Sequence, residues 1–144
     1  MTDLFQQIYS PEVMKHFKNP KHMGVIKNPD GQAMVGNPQC GDMMKFYLKI
    51  GKHGRKEYIK DVKFQTLGCG AAIATSNMMA VLVKGKPLNQ ARKIGKNAII
   101  KALKGLPPAK IHCSVLAGEA LKNAVADYYS QQLKNKGGAK VKKS

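Results

Sequence analysis

The hydrophobic pattern changes period at one tripeptide, Gly68-Cys69-Gly70. Before it, Met44, Phe46, Leu48 and Ile50 alternate with Lys45, Tyr47 and Lys49, and Val62, Phe64 and Thr66 alternate with Asp61, Lys63 and Gln65. Period 2 is the mark of a strand with one buried face. The turn Gly51-Lys52-His53-Gly54 lies between the two runs, which predicts an antiparallel hairpin. After the tripeptide, Ala71 to Val83 holds no breaker and is small and apolar nearly all round. A helix of that kind must be buried on most sides.

The flanking segments complete the order. Ser10-Pro11-Glu12 supplies an N-cap, a proline at the first helical position and an acid in the first turn, and Asn19-Pro20 stops that helix. A loop rich in Asn, Pro and Gly follows to Gly31, and Ala33-Met34-Val35 reads as a short strand ending at Gly36. Two short helices are expected between Leu88 and Leu103. Gly105-Leu106-Pro107-Pro108 is rigid and non-helical. A long helix is expected from about Cys113 to Leu133, with Ala117, Leu121, Ala124 and Tyr128 on one face. Strands segregated from helices predict an α+β fold: a small three-stranded antiparallel sheet, helices packed on one face, and a long C-terminal helix. The 144 residues fit one domain over 1–133, with a basic tail at 134–144 expected to be disordered.

Lys and Arg outnumber Asp and Glu by 25 to 8, a net charge of +17. The five lysines of the tail account for only part of it, so +12 remains on residues 1–133. Only Arg55 and Arg92 are arginines. Base-edge and phosphate-fork recognition leans on Arg, so a Lys-dominated surface argues against specific nucleic-acid readout. No apolar run is long enough to span a membrane, and the N-terminus lacks the apolar core of an export signal. With an odd number of cysteines, this predicts a reducing, cytoplasmic compartment.

The three cysteines fall at predicted element boundaries. Cys40 lies in Gly36-Asn37-Pro38-Gln39-Cys40-Gly41-Asp42, between two strands. Cys69 lies where strand gives way to helix, and Cys113 at the start of the last helix. Packing thiols would fall within the periodic apolar faces, and these do not. A thiol at a helix N-terminus is biased toward thiolate, and Lys110 adds positive charge near Cys113. The glycines flanking Cys69 let a backbone approach a bulky ligand. Asp42 follows Cys40 by two residues and His112 precedes Cys113. The candidate set is three thiolates, one carboxylate and one imidazole. There is no Cys-x-x-Cys and no His-x-x-x-His, so zinc-finger and thioredoxin assignments fail.

Four ordered motifs resemble the IscU/NifU-type iron–sulfur cluster assembly scaffolds. They are His-Phe-Lys-Asn-Pro at 16–20, Gly-Asn-Pro-Gln-Cys-Gly-Asp-Met-Met-Lys at 36–45, Thr-Leu-Gly-Cys-Gly-Ala-Ala-Ile-Ala-Thr-Ser at 66–76, and Leu-Pro-Pro-Ala-Lys-Ile-His-Cys-Ser-Val-Leu-Ala at 106–117. The resemblance implies a non-enzymatic scaffold that builds a labile 2Fe–2S cluster from iron and persulfide sulfur and hands it to acceptor or carrier proteins. It implies Cys40, Cys69 and Cys113 as thiolate ligands, Asp42 or His112 as the fourth, and Lys110 as the family's lysine. Three thiols leave one ligand position to a carboxylate, an imidazole or a second subunit, and a weaker fourth ligand suits a cluster that must leave. Cys113, beside Lys110 and at a helix start, is the expected persulfide acceptor.

The resemblance also implies partners. These are an IscS-like cysteine desulfurase, a second copy in a dimer or larger assembly, and a DnaK-like chaperone at Leu106–Lys110. Ala109 stands there where the family has Val. The alternative function is a zinc-bound sulfur acceptor of the SufU type. That group carries an insertion before the last Cys and Arg at the position of Lys110; this chain has neither. A basic nucleic-acid binder is a third, weaker reading.

Other residues have plainer readings. His16 and His22 are expected at the surface or in packing, and His53 in solvent. Met43-Met44 and Met78-Met79 are expected as core filling. Leu4, Phe5, Ile8 and Tyr9 have helical spacing and could dock on the body, on the desulfurase or on a second copy.

Overall fold

The computed structural model describes residues 10–37, 42–67, 70–106 and 108–136, and of residues 37, 42, 109 and 134–136 the backbone alone. Helix α1 spans Pro11–Lys18. Ser10 caps it: its hydroxyl accepts from the Val13 N–H at 3.1 Å and donates to the Leu103 carbonyl at 2.5 Å. Strands β1 (Gly31–Asn37), β2 (Asp42–His53) and β3 (Lys56–Leu67) follow, then helices α2 (Gly70–Val83), α3 (Leu88–Ala91) and α4 (Lys96–Ala102). A 3₁₀ turn at Pro108–Lys110 leads into α5, Ile111–Lys136.

The sheet is antiparallel in the order β1-β2-β3. Met44, Phe46, Leu48, Val62 and Phe64 are fully buried on its inner face, against α2 and α5. The α+β expectation therefore holds. So does the all-round burial of α2, in which ten of fourteen residues are buried. The long-helix face is as expected, with Ala117, Leu121, Ala124 and Tyr128 buried.

Several boundaries differ: β1 starts at Gly31 and reaches Asn37 rather than ending at Gly36, and β2 starts at Asp42 rather than Met44. The hairpin turn is tighter than expected: β2 runs through His53, and Gly54, at φ 66°, turns the chain with Arg55. β3 begins at Lys56 rather than near Asp61. A bulge explains why that extension escapes a period-2 reading. Lys49 pairs with Asp61 but Ile50 pairs with Ile59, so Lys60 is the extra residue. Ile59 and Val62 are three apart and both fully buried, which strict alternation forbids and one inserted residue allows. Pro108 opens a 3₁₀ turn instead of continuing a loop. Helix α5 begins two residues before Cys113 and ends three after Leu133, so the first three tail residues are helical.

The edge of β3 is covered on both halves. Phe64 bonds the backbone of His22 and Gly24, and Ile59 bonds that of Gly85 and Lys86. This consumes groups that would otherwise pair with another chain. The C-terminal half of α5 is tied to the opposite sheet edge and to the hairpin end. The Gln32 N–H donates to Asp127 Oδ2 at 3.0 Å, and the Tyr128 hydroxyl donates to Glu57.

Candidate metal centre

Strand pairing decides where the cysteine-bearing segments leave the body. Asn37 pairs with Asp42, and Met43 with Leu67. The end of β1, the start of β2 and the end of β3 therefore share one end of the sheet. Residues 38–41, with Cys40, and 68–69, with Cys69, follow these strand ends in the sequence and lie outside the described residues. Asp42 is the first residue of β2, described by its backbone alone.

The third thiol is carried by the first turn of α5, whose C-terminal half is anchored to the sheet. Tyr128 is anchored near the start of β3 and opposite Gly31, the first residue of β1. At 1.5 Å per residue, Cys113 stands roughly 22 Å back along the helix, close to the roughly 20 Å length of β1 beside it. Cys113 is half-buried and packs against the core. His112 is exposed. Neighbouring helical residues differ by about 100°, so the imidazole turns outward where the thiol turns inward. Lys110, half-buried, ends the 3₁₀ turn. Among the described residues there is no group of three His, Cys, Asp or Glu able to hold a metal. The structure thus brings His112 and Cys113 together and orients the ends of the other two segments.

Gly70 has a packing role distinct from the ligand approach expected of it. A Cβ there would sit 3.0 Å from Phe17 Cδ1 and 3.1 Å from Cε1. The glycine lets α1 lie against the first turn of α2.

Sequence reasoning missed one polar network. Asn77 is 2% exposed. Its Nδ2 is 2.7 Å from His16 Nδ1, and its Oδ1 accepts from the His22 N–H at 2.9 Å. The backbone N–H is an obligatory donor, so Oδ1 faces it and Nδ2 faces His16, whose Nδ1 must then accept. His22 Nδ1 lies 3.2 Å from the Val62 carbonyl, which sets it as a donor. Burial lowers the pKa of both rings below 6.5. Both histidines are packing residues, as expected, but they tie α1 and the β3 edge cover to α2. A polar Asn inside an apolar helix was the only sequence signal. His53 is exposed, and Met44, Met78 and Met79 are buried in the core, as expected; Met43, expected with them, is only half-buried because it sits on the other face of β2 from Met44.

A family model described as NifU-like N terminal domain matches residues 8–135. The chain belongs to that family. The iron-sulfur cluster assembly scaffold protein IscU 1 of Archaeoglobus fulgidus is 47% identical over 122 residues, covering 85% of this chain and 77% of the relative. The scaffold protein IscU of Escherichia coli is 46% identical over 127 residues, covering 86% and 96%. A solved structure from Fervidobacterium islandicum AW-1, assigned as a cluster assembly scaffold for the SUF system, superposes with a TM-score of 0.65 at 27% identity, covering 83% and 97%. The motif resemblance to IscU/NifU-type proteins therefore holds across most of the chain. Among the described residues no helix is long and apolar enough to cross a membrane.

Proposed function

We propose that this protein is a cytoplasmic scaffold on which a labile 2Fe–2S cluster is assembled and then passed to acceptor proteins. The observation that carries this is the shared sheet end. Strand register puts Asn37, Asp42 and Leu67, which flank the segments of Cys40 and Cys69 in sequence, at one end, and Cys113 lies in the first turn of α5. The family relationship supports the same reading, since its relatives are named as cluster assembly scaffolds.

The donor chemistry fits. Three thiolates are soft ligands suited to an iron–sulfur cluster, and a carboxylate or imidazole completes four. Asp42, in the segment of Cys40, and His112, beside Cys113, are the two candidates. His112 faces solvent, so it reaches an inward cluster only if the first turn of α5 rotates; Asp42 needs no such rotation of the helix. Sulfur arrives on the persulfide of an IscS-like desulfurase. The Cys113 thiolate attacks the outer sulfur, a new S–S bond forms on Cys113, and the desulfurase thiolate leaves. Lys110 supports the negative charge developing there. Reducing two such sulfurs to sulfide takes four electrons; two Fe(II) supply two, and an external electron donor supplies the rest. Leu67, 49% exposed at the same sheet end, offers an apolar footing for the desulfurase. Leu106–Lys110 is the segment for a DnaK-like chaperone.

Anaerobic incubation with iron, cysteine and a desulfurase is the test. Visible 2Fe–2S absorption is expected, and loss of it in Cys40→Ser, Cys69→Ser and Cys113→Ser. A protein that stays colourless while its thiols stay intact refutes the reading. The second reading, a zinc-bound sulfur acceptor, is favoured by the likeness to the SUF-system structure. One zinc retained through reconstitution, with persulfide but no cluster formed, selects it.

A further inference from the structure

A groove of about 1020 Å³ lies between residues 92–96 and the outer side of α5. Along its helical wall runs a stripe of Val115, Gly118, Lys122, Ala126, Tyr129 and Leu133. The spacings of 3 and 4 are those of a single helix face, the pattern that packs against another helix. Gly95 meets α5 at Gly118, where a Cβ would lie 3.5 Å from its Cα, and closes one end. The open part, from Lys122 to Leu133, is about three helical turns long. It leaves large apolar side chains in water: Tyr129 is 38% exposed and Leu133 70%.

The rim says what covers it. Arg92, Lys93, Lys96 and Lys122 line the groove against one acid, Glu119. A second copy in a twofold pair would bring these same cations together on a chain of net charge +17. The chain's own residues 1–9 carry a single acid, Asp3. We infer that the groove docks an amphipathic helix of a partner protein, about three turns long, with its apolar face on Ala126, Tyr129 and Leu133. Asp and Glu on its flanks face Arg92, Lys93, Lys96 and Lys122. The inference is independent of cluster chemistry, because the groove involves no cysteine and its open part lies on the C-terminal half of α5.

The test uses the full chain and three labelled 16-residue peptides followed by fluorescence anisotropy. One has leucines on one helical face and Glu on the flanks. The second has the same leucines with Lys flanks. The third is a scrambled Glu peptide of identical composition. The Glu-flanked helix should bind at least about tenfold tighter than either control, a ratio readable directly from the Kd values. Leu133→Asp, at an exposed site, should weaken it about tenfold with the circular dichroism unchanged. Lys122→Glu should weaken it several-fold and flatten its salt dependence. Equal binding of the scrambled or Lys-flanked peptide, or no effect of Leu133→Asp, overturns the inference. A tenfold gain on deleting residues 1–9 assigns the groove to that segment and also overturns it. So does a dimer in sedimentation equilibrium that Leu133→Asp dissolves.

Discussion

Gly31→Ala tests how α5 is seated on the sheet. A Cβ at residue 31 would stand 2.5 Å from the Ala124 carbonyl oxygen, 3.0 Å from Tyr128 Cβ and 3.2 Å from its backbone N. Ordinary contact begins near 3.4 Å, so about 0.9 Å must be recovered at the tightest point. None of these atoms moves with a rotamer. β1 must lift from α5 as a unit, straining the Gln32–Asp127 bond beside it. Overpacking of this kind costs about 1–3 kcal/mol and a weakened hydrogen bond about 1 more. Reduced freedom of the unfolded chain returns about 0.4–1 kcal/mol. The net expectation is a loss of about 2 kcal/mol, or roughly 6 °C in Tm for a chain of this size. Gly51→Ala is the comparison. Its Cβ would be as close, 2.6 Å, but to the Tyr58 ring, a side-chain end that can swing aside. Urea unfolding of both variants, followed by circular dichroism on reduced protein, separates the cases. If Gly31→Ala loses no more stability than Gly51→Ala, the backbone contact between β1 and α5 is not what seats the helix.

Three further outcomes follow from the same contacts. His16 and His22 titrate below 6.5 in the folded protein, so the unfolded chain binds more protons as pH falls. Their stabilisation is complete above about pH 6.5 and declines below it; urea midpoints at pH 7.5 and 5.5 should show this, and His16→Gln should reduce the slope. Tyr128→Phe leaves Glu57 without its hydroxyl donor and should cost about 1 kcal/mol in urea titrations. Burial and Glu57 raise the Tyr128 pKa, so that contact is kept below pH 10 and stability falls as pH rises past it. Leu121→Ala, in the fully buried face of α5, should cost about 2–5 kcal/mol and lower the urea midpoint sharply.

Much of the fold was legible because local physics wrote it. The cap at Ser10, the stop at Asn19-Pro20 and the breaker-free run to Val83 each act within a few residues, and the helices obey them. The alternation in β2 and in Val62–Thr66 reports a face that must be buried. Reading failed where the register slips: one extra residue at Lys60 restores Ile59 to the core but breaks the period. It also failed at Asn77, whose partners, the His22 N–H and the His16 ring, are 55 and 61 residues away. Gly70 was marked correctly as special, for a reason that only the Phe17 ring reveals.

For the candidate site, the residue types offered a donor set and the motifs pointed to the family. Three thiols near Asp42 and His112 suggested a soft ligand, and the motif resemblance named the cluster; the fold shows that one of the three, Cys113, also packs against the core. What the tertiary structure decided is direction. Antiparallel pairing turns Asn37, Asp42 and Leu67 to one end, because each strand reverses its neighbour. Anchors at Gln32 and Glu57 hold the C-terminal half of α5 at the other end of the sheet, with Cys113 roughly 22 Å back along the helix. Helical geometry sets His112 outward from Cys113, a difference of about 100° that adjacency in sequence hides. Sequence separation carries no vector, and a ligand set is a matter of vectors.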